Sequence, residues 1–155
     1  MCSRRRNRSI EERIEIEEGI EEGIEIEKWY PMRAEKMVKA GHRAIKMRLG
    51  RYPVAREIKV VQTIRKVVGP DVKLMADGNG AYTMGNALKM ANLLRIYDFE
   101  FLEEPMPQRS NNYPGYDTLR EKMPLPLAGG EALDSREAAK ALIDRRAFDI
   151  IQPDA

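Results

Sequence analysis

Four acidic residues stand at the ends of four successive strand-like segments of the chain. They are Asp77 in LMADGN, Glu103 in FEFLEEP, Glu131 in LPLAGGE and Asp154 in IIQPDA. The intervals of 26, 28 and 23 residues are each long enough for a loop, a helix and the next strand. Because parallel barrel strands end on one face, we expect the four side chains to line one pocket. Carboxylates in one pocket repel one another unless a cation lies between them, and oxygen ligands suit a hard divalent ion, so the pattern predicts a Mg²⁺ site.

Two basic residues lie in the strand-like segment RAIKMRLG, residues 43–50. Lys46 and Arg48 alternate with Ile45, Met47 and Leu49, as in a strand that packs one face against helices. We therefore expect both cations to point into the interior of the sheet. A buried charge is costly unless it is paired, so they require interior carboxylates or an anionic substrate nearby. The alternative is that one of them only forms an ion pair with a ligand carboxylate.

Helical and strand-like segments alternate along most of the chain. The predicted helices cover 31–40, 53–68, 83–97, 116–123 and 134–146, with Thr83 as an N-cap and a capping box from Asp134 to Glu137. The predicted strands cover 43–49, 72–77, 99–103, 125–131 and 148–153. This order predicts an α/β fold, a partial (β/α)₈ TIM-type barrel with about five parallel strands. A complete barrel typically needs about 250 residues, and this chain has 155.

The first 28 residues differ from the rest in composition. Nine glutamates lie between residues 10 and 28, in a low-complexity segment with an EEGI repeat. A helix with an isoleucine face, a hairpin of two IEIE segments and disorder are all compatible with this composition. We therefore expect a low-complexity charged tail over residues 1–28 and a barrel domain, truncated at its C-terminus, over residues 29–155.

The bulk composition excludes several classes of protein. The 27 basic and 25 acidic residues nearly balance, and no nucleic-acid motif accompanies the RRRNR cluster at residues 4–8, so no nucleic-acid partner is expected. No apolar run is long enough to span a membrane. Cys2 is the only cysteine and no signal peptide is evident, which favours a cytoplasmic protein. The open edges of a partial barrel predict a homo-oligomer or other self-association.

Five motifs in sequence order resemble the barrel motifs of one known family. They are Lys46-Met-Arg48, Asp77-Gly-Asn79, Glu103-Glu104-Pro105, Gly130-Glu131 and Gln152-Pro153-Asp154. This set resembles the enolase superfamily, in particular its mandelate racemase and muconate-lactonising branch. The likeness covers residues 31–155. The segments EEPMPQ, NNYPGY and PLPLAGGEALDSR are most similar to the acid-sugar dehydratases of that branch.

The resemblance implies roles for the acidic residues. Asp77, Glu103 and Glu131 match the positions that bind Mg²⁺, which would hold the substrate carboxylate and stabilise the enediolate formed when the α-proton leaves. Asn79 matches a position that helps to hold the substrate. Asp154 matches the aspartate that orients a catalytic histidine.

The resemblance also implies catalytic roles for Lys46 and Arg48. Arg48 stands where related enzymes often have a lysine base, and an arginine stays protonated, so we expect it to bind the substrate carboxylate or developing charge. Proton abstraction would then fall to the histidine that Asp154 orients, on a later strand. The single histidine, His42, precedes the strand at the end opposite the pocket, so we expect it to have no catalytic role.

The implied function is that of a fragment of a Mg²⁺-dependent acid-sugar dehydratase. Such an enzyme abstracts the proton next to a carboxylate and eliminates water to give a 2-keto-3-deoxy acid, with a small sugar acid as its substrate. One alternative is a racemase, epimerase or cycloisomerase of the same superfamily. Another alternative is a catalytically inactive, truncated gene product.

Overall fold

One parallel sheet organises the molecule. The computed structural model describes residues 14–16, 25–108, 113–133 and 135–153. Every pair of neighbouring strands is parallel, and the strand order follows the sequence. The strands are β1 (Ile14–Ile16), β2 (Ala44–Arg48), β3 (Lys73–Asp77), β4 (Phe99–Glu103), β5 (Leu127–Gly129) and β6 (Ile150–Ile151). The last five confirm the predicted strands, and the parallel pairing confirms the predicted α/β architecture.

Helices connect successive strands. They are α1 (Ile26–Lys39), α2 (Val54–Val68), α3 (Met84–Ile96), α4 (Tyr113–Lys122) and α5 (Arg136–Arg145). Thr83 caps α3 as predicted, since its hydroxyl accepts a hydrogen bond from the Asn86 amide at 3.3 Å. The N-cap of α5 lies one residue later than Asp134, where the predicted capping box started. It is Ser135, whose hydroxyl accepts a hydrogen bond from the Ala138 amide. Among the described residues, no helix is long and apolar enough to cross a membrane.

The first helix begins earlier than the sequence predicted. Pro31 was expected to open it, but α1 starts at Ile26 and Pro31 lies in its second turn. A proline there removes one intrahelical hydrogen bond. Ile26, Trp29 and Tyr30 are nonetheless all buried, with at most 4% of each exposed. Burying two aromatic side chains outweighs the lost bond. Similarly, α4 begins three residues before its predicted start.

The strand β1 lies within the predicted tail. It pairs in parallel with β2, with Ile14 opposite Ile45 and Ile16 opposite Met47. The segment thus forms neither part of an isoleucine-faced helix nor a hairpin with a second IEIE segment, because its partner is β2 and α1 begins at Ile26. The rest of residues 1–24 lies outside the described part of the chain.

The two faces of the sheet bury different sets of side chains. One face packs against the helices and forms the main core. Ile45 and Met47 of β2 and Leu49, which follows β2, belong to this core. The other face holds a smaller apolar cluster of Ala44, Met75, Phe101 and Ala128, with Ile150 against it. Because alternate residues of a strand point to opposite faces, Lys46 and Arg48 share the face of Ala44. The predicted inward placement of both cations is therefore confirmed.

Candidate active site

Three strands end in charged residues at one level of the sheet. Arg48 is the last residue of β2, Asp77 the last of β3 and Glu103 the last of β4. The strand register places Arg48 directly opposite Asp77, and Asp77 directly opposite Glu103. Two of the three predicted metal-ligand positions, Asp77 and Glu103, are thereby side by side at the carboxyl edge of the sheet.

Arg48 and Asp77 form an ion pair across neighbouring strands. The Arg48 Nη2 atom lies 3.1 Å from Asp77 Oδ2, and 5% of the Asp77 side chain is exposed. The Tyr30 hydroxyl donates to the Arg48 carbonyl at 2.8 Å, which fixes the end of β2 against α1. A nearly buried carboxylate therefore has a positively charged partner, as the sequence predicted for one of the interior cations.

Lys46 and Glu103 form a second ion pair that is buried more deeply. Lys46 Nζ donates to Glu103 Oε2 at 2.7 Å, with 9% and 3% of the two side chains exposed. The strand β3 lies between their strands, and Lys46 is level with Met75 in the register. The bond therefore crosses the interior face of the sheet over an intervening strand. Both interior cations meet interior carboxylates.

Backbone hydrogen bonds fasten the loop after β3 to the loop after β4. Gly78 N donates to the Glu103 carbonyl at 2.8 Å, and Gly80 N donates to the Glu104 carbonyl at 2.6 Å. Tyr82 N donates to the Pro105 carbonyl at 2.9 Å. A Cβ atom on Gly78 would lie 2.9 Å from the Pro105 Cα atom, so the close approach of the loops requires glycine there. The DGN and EEP motifs are thus two sides of one rigid unit.

Asn79 lies on this unit next to Asp77. Its backbone N–H donates to Asp77 Oδ1 at 2.8 Å, and its φ of 44° is a left-handed conformation that asparagine tolerates better than most residues. The residue is exposed, so its side chain is accessible to a ligand. Its predicted contact with substrate stays a prediction.

Glu104 is a site residue to which sequence reasoning gave no role. It is partly buried, its φ is 36°, and Gln108 Nε2 donates to its Oε1 atom at 2.7 Å. Burial raises the pKa of Glu104, and the negative charges of Glu131, Glu103 and Asp77 raise it further. Four carboxylates therefore share one electrostatic neighbourhood. The doubled glutamate of the EEP motif is the sequence signal for this residue.

The remaining predicted residues lie outside the two ion pairs described above. Glu131 is exposed in the turn after β5. Asp154 lies outside the described residues, so its predicted role stays a prediction. His42 precedes β2, at the edge of the sheet opposite the carboxylates, and its N–H donates to the Met37 carbonyl. The side-chain oxygen of Gln152, the residue after β6, is buried and has no hydrogen-bond partner among the described residues.

The residues of this site supply the donor atoms that Mg²⁺ prefers, but those that the structure describes do not converge as a set of ligands would. Carboxylate oxygens at neighbouring strand ends are ligands of the type that Mg²⁺ prefers. In the described part of the chain, however, no three His, Cys, Asp or Glu side chains converge closely enough to hold a metal ion. Asp77 and Glu103 instead engage Arg48 and Lys46. A carboxylate has about four lone-pair sites, so Asp77 and Glu103 can offer oxygens to a metal ion while each keeps its cationic partner. The donor set and its position therefore fit the ion.

Comparison with known proteins gives matches over most of the chain. The family described as "Enolase C-terminal domain-like" matches residues 29–155. An arabinonate dehydratase from Saccharolobus solfataricus is 35% identical over 118 residues, which cover 76% of this chain and 31% of the relative. The D-galactarolactone cycloisomerase of Agrobacterium fabrum is 31% identical over 115 residues, which cover 74% of this chain and 29% of the relative.

A solved structure matches the fold of the chain. The L-talarate dehydratase from Polaromonas sp. JS666, complexed with Mg and L-glucarate, superposes with a TM-score of 0.76 at 28% identity. The match covers 88% of this chain and 38% of that chain. The predicted partial TIM-type barrel is therefore confirmed. The chain spans about a third of the length of the curated relatives it matches.

Proposed function

Because this chain belongs to the enolase C-terminal domain-like family, we propose that it carries the metal-binding and substrate-binding part of a Mg²⁺-dependent acid-sugar dehydratase. The observation that carries the proposal is the pair of interior ion pairs that join β2 to the last residues of β3 and β4. They bring together two cations and two carboxylates, the groups that an anionic substrate and a divalent ion would require. Identity to an arabinonate dehydratase supports the substrate class.

The acidic residues would hold the metal. Asp77, Glu103 and Glu131 supply carboxylate oxygens from three successive strand ends, and Asn79 extends from the loop that carries Asp77. When bound, Mg²⁺ supplies positive charge next to the substrate carboxylate, which makes the neighbouring proton more acidic. Glu104 adds a fourth negative charge to this group.

The basic residues would bind and polarise the substrate. The guanidinium of Arg48 is planar and always charged, so it can hold a sugar-acid carboxylate through two parallel hydrogen bonds. Lys46 is held on the interior face by Glu103, and its ammonium group would lie near the reacting carbons of a bound sugar acid. Asp77 and Glu103 hold these two cations on the interior face of the sheet, where they would meet the substrate.

The proposed reaction is a β-elimination. A base removes the proton from C2, the C–H electron pair forms the C2–C3 double bond, and the C3 hydroxyl leaves with a proton as water. The resulting enol becomes a 2-keto-3-deoxy acid. Asp154 would orient a histidine base, and His42 does not serve because it lies at the opposite edge of the sheet.

The test is product formation from a panel of aldonic acids, with arabinonate first, in the presence of Mg²⁺. We expect a 2-keto-3-deoxy acid, detected by its reaction with a carbonyl reagent, when a segment that carries the histidine base is supplied together with this chain, and no keto acid from this chain without such a segment. In the active combination we expect Arg48→Met to raise KM for the sugar acid. Loss of substrate without a keto acid would contradict dehydration.

A second candidate is cycloisomerisation, which the match to a D-galactarolactone cycloisomerase favours. It begins with the same attack on the proton next to the carboxylate and keeps every atom of the substrate. A product that has the mass of the substrate but a different set of covalent bonds would identify it. Exchange of the C2 hydrogen for solvent deuterium without loss of water would instead indicate a racemase or epimerase.

A further inference from the structure

A buried carboxylate outside the proposed ligand set joins the loops that carry the site. Glu57 lies in the first turn of α2 and is 2% exposed. Its Oε1 atom accepts from Gly50 N at 2.6 Å and from Tyr52 N at 3.2 Å. Its Oε2 atom accepts from the Tyr82 hydroxyl at 2.6 Å. One side chain thus satisfies three donors from two different loops.

The donors belong to the loops that follow Arg48 and Asp77. Gly50 is two residues beyond Arg48, and Tyr82 is five residues beyond Asp77. The loops are in tight contact there, because a Cβ atom on Gly50 would lie 2.5 Å from Ala81 Cβ. The Leu49 amide also donates to the Asp77 carbonyl at 2.8 Å. Glu57 therefore connects the loop after Arg48 to the loop after Asp77, next to the ion pair that these two residues form.

The chemistry of Glu57 suits this task. An ionised carboxylate only accepts hydrogen bonds, so it can serve three donors at once. The first turn of a helix favours a negative charge because of its exposed N–H groups. Burial, and then the charge of Glu57, raises the pKa of Tyr82, so the hydroxyl keeps the proton that it donates.

We infer that Glu57 is a positioning residue that sets the distance between Arg48 and Asp77 by fixing the loops behind them. Its relevance to catalysis rests on the proposed function, whereas its effect on the ion pair does not. Glu57 touches neither of the paired side chains in the contacts described above. It acts through Gly50, Tyr52 and Tyr82.

Nuclear magnetic resonance of the full ¹⁵N-labelled chain tests this inference. Arg48→Lys assigns the Arg48 Nε–Hε signal, and Asp77→Asn gives the position of that signal without the ion pair. We expect Glu57→Met, which fills the same space without accepting a hydrogen bond, to move the signal most of the way towards the Asp77→Asn position. Glu57→Gln keeps an acceptor for Gly50 and Tyr52, so we expect it to restore the signal.

Two further variants make the outcome decisive. If Glu57→Met does not fold, Tyr82→Phe removes one of the three contacts, and we expect a smaller shift in the same direction. Glu35→Gln is the matched control, because Glu35 pairs with Lys39 on an exposed face of α1. An Arg48 signal that stays in place, while the Gly50 and Tyr52 amide signals move, would overturn the inference.

Metal affinity separates this inference from the proposed function. With Mn²⁺ as the probe, we expect Glu57→Met to weaken binding about tenfold, as for other residues that orient metal ligands. A parent chain that binds no Mn²⁺ would count against the proposed metal site. The Arg48 signal would still decide the role of Glu57.

Discussion

Lys46 and Glu103 meet at 2.7 Å although the whole of β3 lies between their strands. Adjacent strands are about 4.8 Å apart, so the two backbones lie roughly 10 Å apart, a distance that one extended lysine can bridge. The bond crosses above Met75, on the interior face of the sheet. The ammonium group thereby neutralises a carboxylate that is buried on the interior face, opposite the face that packs against the helices.

Removing the lysine isolates that carboxylate. We expect Lys46→Met to lower the free energy of unfolding by about 3 kcal/mol, because a buried charge left without its partner is strongly destabilising. Urea unfolding at pH 7 measures the loss. The double variant Lys46→Met/Glu103→Gln should recover part of it, and a double variant less stable than Lys46→Met would contradict this account.

Mg²⁺ should stabilise the chain through Asp77 and Glu103. At a Mg²⁺ concentration of about 100 times Kd, a ligand that binds only the folded state adds about 2.7 kcal/mol. For a domain of this size that raises Tm by about 5–10 °C. We expect Asp77→Asn and Glu103→Gln to abolish the rise in a thermal melt. Asp71→Asn, at an exposed position before β3, is the control that should keep it.

Glu104 should make stability depend on pH. Its pKa is raised in the folded protein, so the native state binds more protons than the unfolded state at intermediate pH, and stability falls as pH rises through the folded pKa. We expect Glu104→Gln to exceed the parent in stability at pH 7. The difference should disappear below the ordinary glutamate pKa of 4.5. Urea unfolding from pH 3 to 8 measures it, and a difference independent of pH would refute the prediction.

Substitutions at Gly50 and Gly41 can distinguish the cost of backbone strain from the cost of a steric clash. Both have left-handed φ angles, of 94° and 98°, but a Cβ atom meets Ala81 and Gly78 at Gly50 and nothing within 4 Å at Gly41. We expect Gly41→Ala to cost about 1 kcal/mol of unfolding free energy, because a residue with a Cβ atom is strained at a positive φ. Gly50→Ala should cost about 3 kcal/mol, because the clash adds to the strain. Equal losses would mean that the loops move apart freely.

The sequence predicted those parts of the site in which the position of a charged residue depends on the alternation of side chains along a strand or on the spacing between strands. The alternation of β2 placed Lys46 and Arg48 on the interior face, and the spacing of the acidic residues placed Asp77 and Glu103 at one edge. Neither pattern specifies which cation meets which carboxylate. That choice depends on the strand order and on the reach of a lysine over β3, which are properties of the folded sheet.

Other residues gave no sequence signal strong enough to find them. Glu57 shares the buried face of α2 with Val61 and Ile64, but only the folded loops reveal that three donors converge on it. The strand β1 sits in a repetitive, glutamate-rich segment whose composition is compatible with several structures. Its parallel pairing with β2 is a long-range contact that no local pattern specifies.

The bonds between the loops after β3 and β4 come from main-chain atoms of Gly78, Gly80 and Tyr82. Apart from the glycines, they do not depend on which side chains the loops carry. Exposed side chains on these loops can therefore change during evolution while the scaffold persists, although the left-handed φ at Asn79 favours asparagine or glycine there. A scaffold of this kind lets one lineage explore new specificities without refolding its catalytic centre.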